Sequence, residues 1–198
     1  MTRIADAFVW PFRAGWTTWL VGALTVLLLP VAFIPLLGYA VAAVRAGESP
    51  PRWTLSRRLL RDGFWTALAV ALTMLPFAAA LVALSRVLGG VALVIAFFAL
   101  ALPWGLIALL LLPHGTAEFA RSGDPRALFD AGASLRGVRR DFASWNVVAA
   151  AIVTAWAIGL ACVGLLCAGI VPGIFYAILV SAHATAALTR QDSNRPAR

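Results

Sequence analysis

Two histidines and one glutamate are the residues whose chemistry first asks for a partner. His114 and Glu118 are spaced i,i+4, so on a helix they share a face, and His183 holds the matching place in a second, related stretch. Two imidazole nitrogens and a carboxylate form a set that zinc or iron accepts. Nothing completes it, since there is neither an HExxH pattern nor a carboxylate pair. No metal is therefore expected, and the three residues read as a polar site at the inner mouth of a helical bundle. Cys162 and Cys167 lie in one apolar run, where thiols behave as small buried hydrophobes rather than as a disulfide frame or a CxxC site. Ser85 and Ser181 have no base and orienting acid at any argued distance, and GxSxG, Walker A and GxGxxG patterns are absent. The expectation is a protein that is not an enzyme and needs no cofactor.

The second chemistry is cationic. All sixteen basic residues are arginines, set against eight acidic ones. In a soluble protein that excess would point to nucleic acid, but here the arginines sit in short clusters between long uncharged runs, the distribution of membrane-protein loops. Nucleic acid is not expected as a partner. Arg52, Arg57, Arg58 and Arg61 fall in a loop over 45–62, interleaved with Leu55, Leu59 and Leu60. Arg136, Arg139 and Arg140 fall in a loop over 118–141, behind an Asp124-Pro125 start that suits an N-cap and first helical position. Both loops are expected to form short amphipathic helices on the inner membrane face, where anionic headgroups attract each arginine by about 1 kcal/mol. The partners implied are the lipid bilayer and anionic lipids, or another membrane protein with an acidic face.

The elements that must position these residues follow from composition. With 62% hydrophobic and 12% charged residues, the chain is far from the quarter-charged norm of soluble domains, which excludes a water-soluble globule. Uncharged runs cover Ala14–Val44, Gly63–Ser85, Val87–Ala117 and Phe142–Thr189, and a crossing needs about 20 apolar residues. The second and third runs form a hairpin (63–117) turning near Arg86–Gly90. The fourth (142–189) is a hairpin that breaks at Cys167–Gly173, where Gly169, Pro172 and Gly173 offer a turn. The first run (14–44), interrupted by Pro30 and Pro35, fits either a short hairpin or one tilted, kinked span. Gly15, Gly22, Gly38, Gly105, Gly159 and Gly164 are expected at close helix contacts. Segment 1–13 is expected to be interfacial rather than a cleaved signal, and 190–198 is expected to be a cytoplasmic tail.

An internal repeat favours the hairpin. Pro103–Arg121 superposes on Pro172–Arg190 without a gap, matching His114 with His183, Thr116 with Thr185 and Arg121 with Arg190. A looser copy runs through Pro35, Tyr39 and Arg45, and repeated hairpins are a common way to build membrane folds. The expected fold is an all-α, polytopic transmembrane bundle of six helices in three hairpins, with five spans as the alternative. Six spans with both termini on one side leave Arg86 as the single arginine opposite, whereas five spans move Arg3 and Arg13 across to join it. The basic side is cytoplasmic by the positive-inside rule, with Trp16, Trp19, Trp65 and Trp145 at that boundary. The expected location is the cell membrane, multi-pass, with both termini cytoplasmic.

Asp6-Ala-Phe-Val-Trp-Pro-Phe-Arg13, Gly38-Tyr39 with Arg45 to Pro51, Arg61-Asp62-Gly63, and Gly169 to Ala177 with His183 resemble a family of small polytopic membrane proteins of archaea and bacteria, the domain of unknown function numbered 4013. The resemblance implies a membrane protein and brings no activity, cofactor or catalytic residue. The function expected is a non-enzymatic component that organises or modulates a membrane complex or the inner-leaflet lipids. The alternative is a passive or partner-driven transport subunit.

Overall fold

The computed structural model describes residues 4–46, 49–162 and 169–193, with side chains for 5–46, 49–162 and 169–188. Arg3, Glu48, Gly164, Cys167, Arg195 and Arg198 lie outside the described residues, as does the side chain of Arg190. The helices are α1 (Ile4–Val9), α2 (Trp16–Leu27), α3 (Leu29–Arg45), α4 (Arg57–Ser85), α5 (Gly90–Ser122), α6 (Ala131–Arg140), α7 (Phe142–Ala161) and α8 (Ile170–Ser193), with 3-10 turns at Trp10–Arg13 and Pro125–Leu128. No strand occurs among the described residues. Four helices are long and apolar enough to cross a membrane: α4, α5, α7 and the Ile170–Leu188 part of α8.

The Pro-interrupted first run folds as two shorter apolar helices. Leu28 leaves the helical well at φ −93 and ψ 26, and Pro30 follows at the start of α3, where its missing N–H is not needed. The chain turns back sharply there. Trp19 of α2 and Tyr39 of α3 both reach the Phe175 ring, at 5.4 and 6.0 Å between centroids, whereas a continuous helix would separate them by about 30 Å. With 12 and 17 residues, α2 and α3 are about 18 and 25 Å long.

The first basic loop does not form a separate surface helix. Residues 49–56 are non-helical, and Arg57 to Arg61 are the opening turns of α4. Ser56 caps them by accepting from the Leu59 amide at 3.1 Å, and Gly63 is too weak a breaker to stop the helix before the apolar run takes over. Gly38 and Gly63 let α3 and α4 touch backbone to backbone. A Cβ on Gly38 would collide with the Leu59 carbonyl, and one on Gly63 with that of Ile34.

The α4–α5 hairpin turns where predicted, with Gly90 at φ +55. Its arms meet through Phe77 and Phe97, 5.8 Å apart, and through the Trp104 indole, which donates to the Thr73 carbonyl at 2.8 Å. Pro113 inside α5 removes the amide that would bind the Leu109 carbonyl. The Trp145 indole of α7 donates to that carbonyl instead, at 3.1 Å. The second hairpin departs from expectation. Because α8 begins at Ile170, Pro172 and Gly173 lie in its first turn rather than in the connection. Gly173 serves close approach, since a Cβ there would lie 2.8 Å from the Gly159 carbonyl. Gly105 and Gly15 were expected at such contacts, but nothing lies within 4 Å of a Cβ on Gly105 and only the Thr17 side chain near one on Gly15.

Burial is uneven. Phe175, Ala177, Leu179 and Val180 make α8 the centre of the core. Segment α1 docks on it, with the Tyr176 hydroxyl donating to the Phe8 carbonyl at 3.1 Å and Trp10 almost fully enclosed. By contrast, none of the most apolar window of α5 is buried; Val91, Ile95, Phe98 and Leu102 point outward.

Candidate functional site

Charged residues gather at one end of the bundle, in two places. The first is a knot around Asp62, whose carboxylate is 1% exposed. Arg45, the last residue of α3, pairs with its Oδ2 and also donates through Nε to the Ala120 carbonyl of α5 at 2.8 Å. The Arg45 guanidinium lies 5.9 Å from the centre of the Phe119 ring. Arg61 adds a contact to Oδ1 at 3.3 Å and Arg58 a longer one at 3.9 Å. Three helices thus meet at one ion pair, in which one buried nitrogen of Arg45, Nη2, has no hydrogen-bond partner. Arg58 and Arg61, named from the sequence as binding residues, are partly engaged here, while Arg52 and Arg57 are exposed and make no ion pair among the described residues.

The second place is a cleft of about 640 Å³ between the end of α5 and the segment 124–140 folded over it. Gly123 ends α5 in the left-handed region at φ 72, the usual way to release a chain from a helix. Asp124 accepts from the Arg126 amide at 3.0 Å to start the 3-10 turn, and Asp130 from the Ala133 amide at 2.7 Å to start α6. Predicted as one amphipathic helix, this loop is therefore two capped pieces. Gly137 brings α6 against His114, since a Cβ there would sit 2.8 Å from His114 Nδ1.

His114, Glu118, Arg126, Arg136 and Arg140 all line this cleft. Glu118 pairs with Arg121 at 2.6 Å, and Asp124 and Asp130 are engaged as caps. Arg126, Arg136 and Arg140 form no ion pair among the described residues, and with Arg121 they line the cleft together with the carboxylates of Glu118, Asp124 and Asp130, so that the cations outnumber the anions by one. Beside it, Phe129, Leu135 and Phe142 are exposed apolar side chains. Arg139 points elsewhere and does not line the cleft.

His183 does not join His114 and Glu118. It is buried against the Trp10 indole, with ring centroids 4.7 Å apart. The repeat-related histidines therefore face different neighbours, and no group of three potential metal ligands occurs among the described residues. Sequence reasoning missed the Asp62 knot. The visible signal was a lone acid, Asp62, beside Arg58 and Arg61.

Residues 21–168, from α2 through both charged sites to the end of α7 and beyond, match the family described as Protein of unknown function (DUF4013). The chain belongs to this family. The match leaves α1 and α8 outside it, and with them Trp10 and His183. No curated protein and no solved structure matches the chain.

Proposed function

We propose that this protein is a multi-pass component of the cell membrane, with six helices in three hairpins and both termini cytoplasmic, that captures anionic lipid of the inner leaflet and catalyses no reaction. Four helices are long enough to cross; α2 and α3 form a shorter hairpin packed against α8. The observation that carries the reading is the cleft lined by Arg126, Arg136 and Arg140, none of them in an ion pair among the described residues, on a stretch of chain that also exposes Phe129, Leu135 and Phe142. Such a pairing of cations and apolar side chains suits a phosphate headgroup whose chains enter the bilayer alongside. Held there, lipid would present an anionic surface to a neighbouring membrane protein.

The test is lipid retention. Purified from nanodiscs of phosphatidylglycerol and phosphatidylcholine, the wild type should keep phosphatidylglycerol through mild delipidation, read by native mass spectrometry. Replacing Arg126, Arg136 and Arg140 together by Gln should remove that preference, whereas replacing Arg52 and Arg57 by Gln should not. Equal retention by both variants would overturn the proposal. A reporter fused after Arg13 that reads as extracytoplasmic would remove the six-span arrangement.

A further inference from the structure

The basic cleft holds acids as well as arginines, and a hydroxyl with nothing to bond. Arg121, Arg126, Arg136 and Arg140 line it with Glu118, Asp124 and Asp130, so that, His114 apart, four cations face three anions. The two capping bonds use one oxygen of each aspartate, Oδ1 of Asp124 accepting from the Arg126 amide and Oδ1 of Asp130 from the Ala133 amide. An ionised carboxylate offers about four acceptor positions. Oδ2 of Asp124 and of Asp130 makes no hydrogen bond or ion pair among the described residues. Glu118 accepts from Arg121 through both oxygens and stays 43% exposed. Ser134 of α6 lines the same cleft, is only 5% exposed, and makes no hydrogen bond among the described residues. A covered hydroxyl left unbonded is costly, and an acceptor in the cleft would relieve it.

We propose that this cleft selects, among anionic phospholipids, a phosphodiester head that carries one net negative charge and free hydroxyls beyond it, as a glycerol head does. The inference rests on the reading of the cleft as a lipid site and adds which head it takes. The phosphate accepts from the Ser134 hydroxyl and from Arg126, Arg136 and Arg140, while the head hydroxyls donate to Glu118 and to the unused oxygens of Asp124 and Asp130. The charge count sets the valence, since one negative charge brings the lining to neutrality. A phosphomonoester, with about 1.5 to 2 negative charges at pH 7, overshoots that balance and brings no hydroxylated head. An ethanolamine head leaves the excess cation uncompensated. A serine head sets a fourth carboxylate among three, where like charges disfavour one another.

The experiment offers the full chain a choice of heads. Nanodiscs contain phosphatidylglycerol, phosphatidic acid, phosphatidylserine and phosphatidylethanolamine in equal parts with identical acyl chains, and native mass spectrometry reads the lipid kept through mild delipidation at neutral pH. Phosphatidylglycerol should be retained at least fivefold over each of the others. Glu118→Gln raises the cation excess to two and should increase phosphatidic acid relative to phosphatidylglycerol at least fivefold. Ser134→Ala should lower phosphatidylglycerol retention at least threefold yet melt no lower than wild type, because only an unbonded hydroxyl is removed. A tenfold excess of soluble glycerophosphoglycerol should leave the lipid in place. Equal retention of phosphatidic acid or phosphatidylserine would overturn this inference while leaving anionic-lipid capture standing. So would an unchanged preference in Glu118→Gln or unchanged retention in Ser134→Ala. Retention of phosphatidylethanolamine as strong as that of every anionic lipid, or displacement by the soluble head, would overturn both the inference and the lipid reading beneath it.

Discussion

Removing the Asp62 carboxylate should be among the most destabilising polar changes in this chain. Asp62 is 1% exposed and Arg45 21% exposed, so Asp62→Ala leaves a largely covered guanidinium with only the Ala120 carbonyl for a partner. Breaking one side of a buried ion pair costs about 3–5 kcal/mol, and the partial exposure of Arg45 puts this case near the lower figure. At about 1.36 kcal/mol per tenfold, the folded population should fall more than a hundredfold relative to the unfolded one. Reversible unfolding in mixed micelles of dodecyl maltoside and SDS, followed by far-ultraviolet circular dichroism, measures this directly. Arg45→Met should cost as much, because it strands Asp62 with only the exposed Arg61 and Arg58. The decisive variant is the double change Arg45→Met with Asp62→Leu, which removes both charges and should lie within about 1 kcal/mol of wild type. Arg58→Gln and Arg61→Gln, at 69% and 57% exposure, should each change stability by less than about 1 kcal/mol. If the two single changes prove additive in the double variant, or Asp62→Ala costs less than about 1 kcal/mol, the knot does not hold these helices together.

Two further pairs of changes test the packing. Gly38→Ala forces a methyl into the Leu59 carbonyl and should cost about 2 kcal/mol or more as α3 and α4 separate, whereas Gly105→Ala meets nothing and should gain up to about 1 kcal/mol from helix propensity; the same micelle titration reads both. Trp145→Phe strands the Leu109 carbonyl and should cost about 1–3 kcal/mol. Adding Pro113→Ala restores a helical amide to that carbonyl and should recover much of the loss, and a double variant no more stable than Trp145→Phe would show that the indole acts by packing alone.

Much of the architecture was legible because it rests on periodicity and on breakers. The absence of charge over 63–85 and 87–117 marked both arms of the α4–α5 hairpin, and the glycines at 89 and 90 marked its turn. Boundaries were less legible where a helix gains its first turns from charged residues. Arg57 to Arg61 look like loop, yet a Ser56 cap and favourable helix propensity carry α4 through them. Likewise Pro172 and Gly173 look like a turn, but proline is tolerated in a first helical turn and this glycine is spent on contact with α7. For the site, the Arg-rich character of 118–141 was visible in the sequence, and so was the shared face of His114 and Glu118. What the sequence could not reveal was which residues meet across helices. A repeat alignment places His183 opposite His114, but the 3-10 turn that follows α1 packs on α8 and fills the space beside His183 with Trp10, so the symmetry of the sequence is broken by an element that lies outside the repeat.

The same asymmetry explains why the most apolar helices are the least buried. The most apolar stretch of α8 is 56% buried and that of α5 not at all, although both helices are apolar enough to cross a membrane. A chain folding in water would place Val91, Ile95, Phe98 and Leu102 inward, because each fully exposed side chain of this kind forgoes about 1.5–3 kcal/mol of burial. In hydrocarbon that drive disappears, since lipid tails are as apolar as these side chains, and helices associate through close packing and hydrogen bonds instead. The contacts that hold this bundle are of that kind: the Gly38–Gly63 and Gly159–Gly173 approaches, the Trp104 and Trp145 indoles on backbone carbonyls, and the Arg45–Asp62 pair. Apart from the Trp104 indole, which joins α4 to α5, they lie on α3, α7 and α8, on the start of α4 and on the later part of α5, and leave most of the apolar surface of the α4–α5 hairpin facing outward, as lipid-facing helices should.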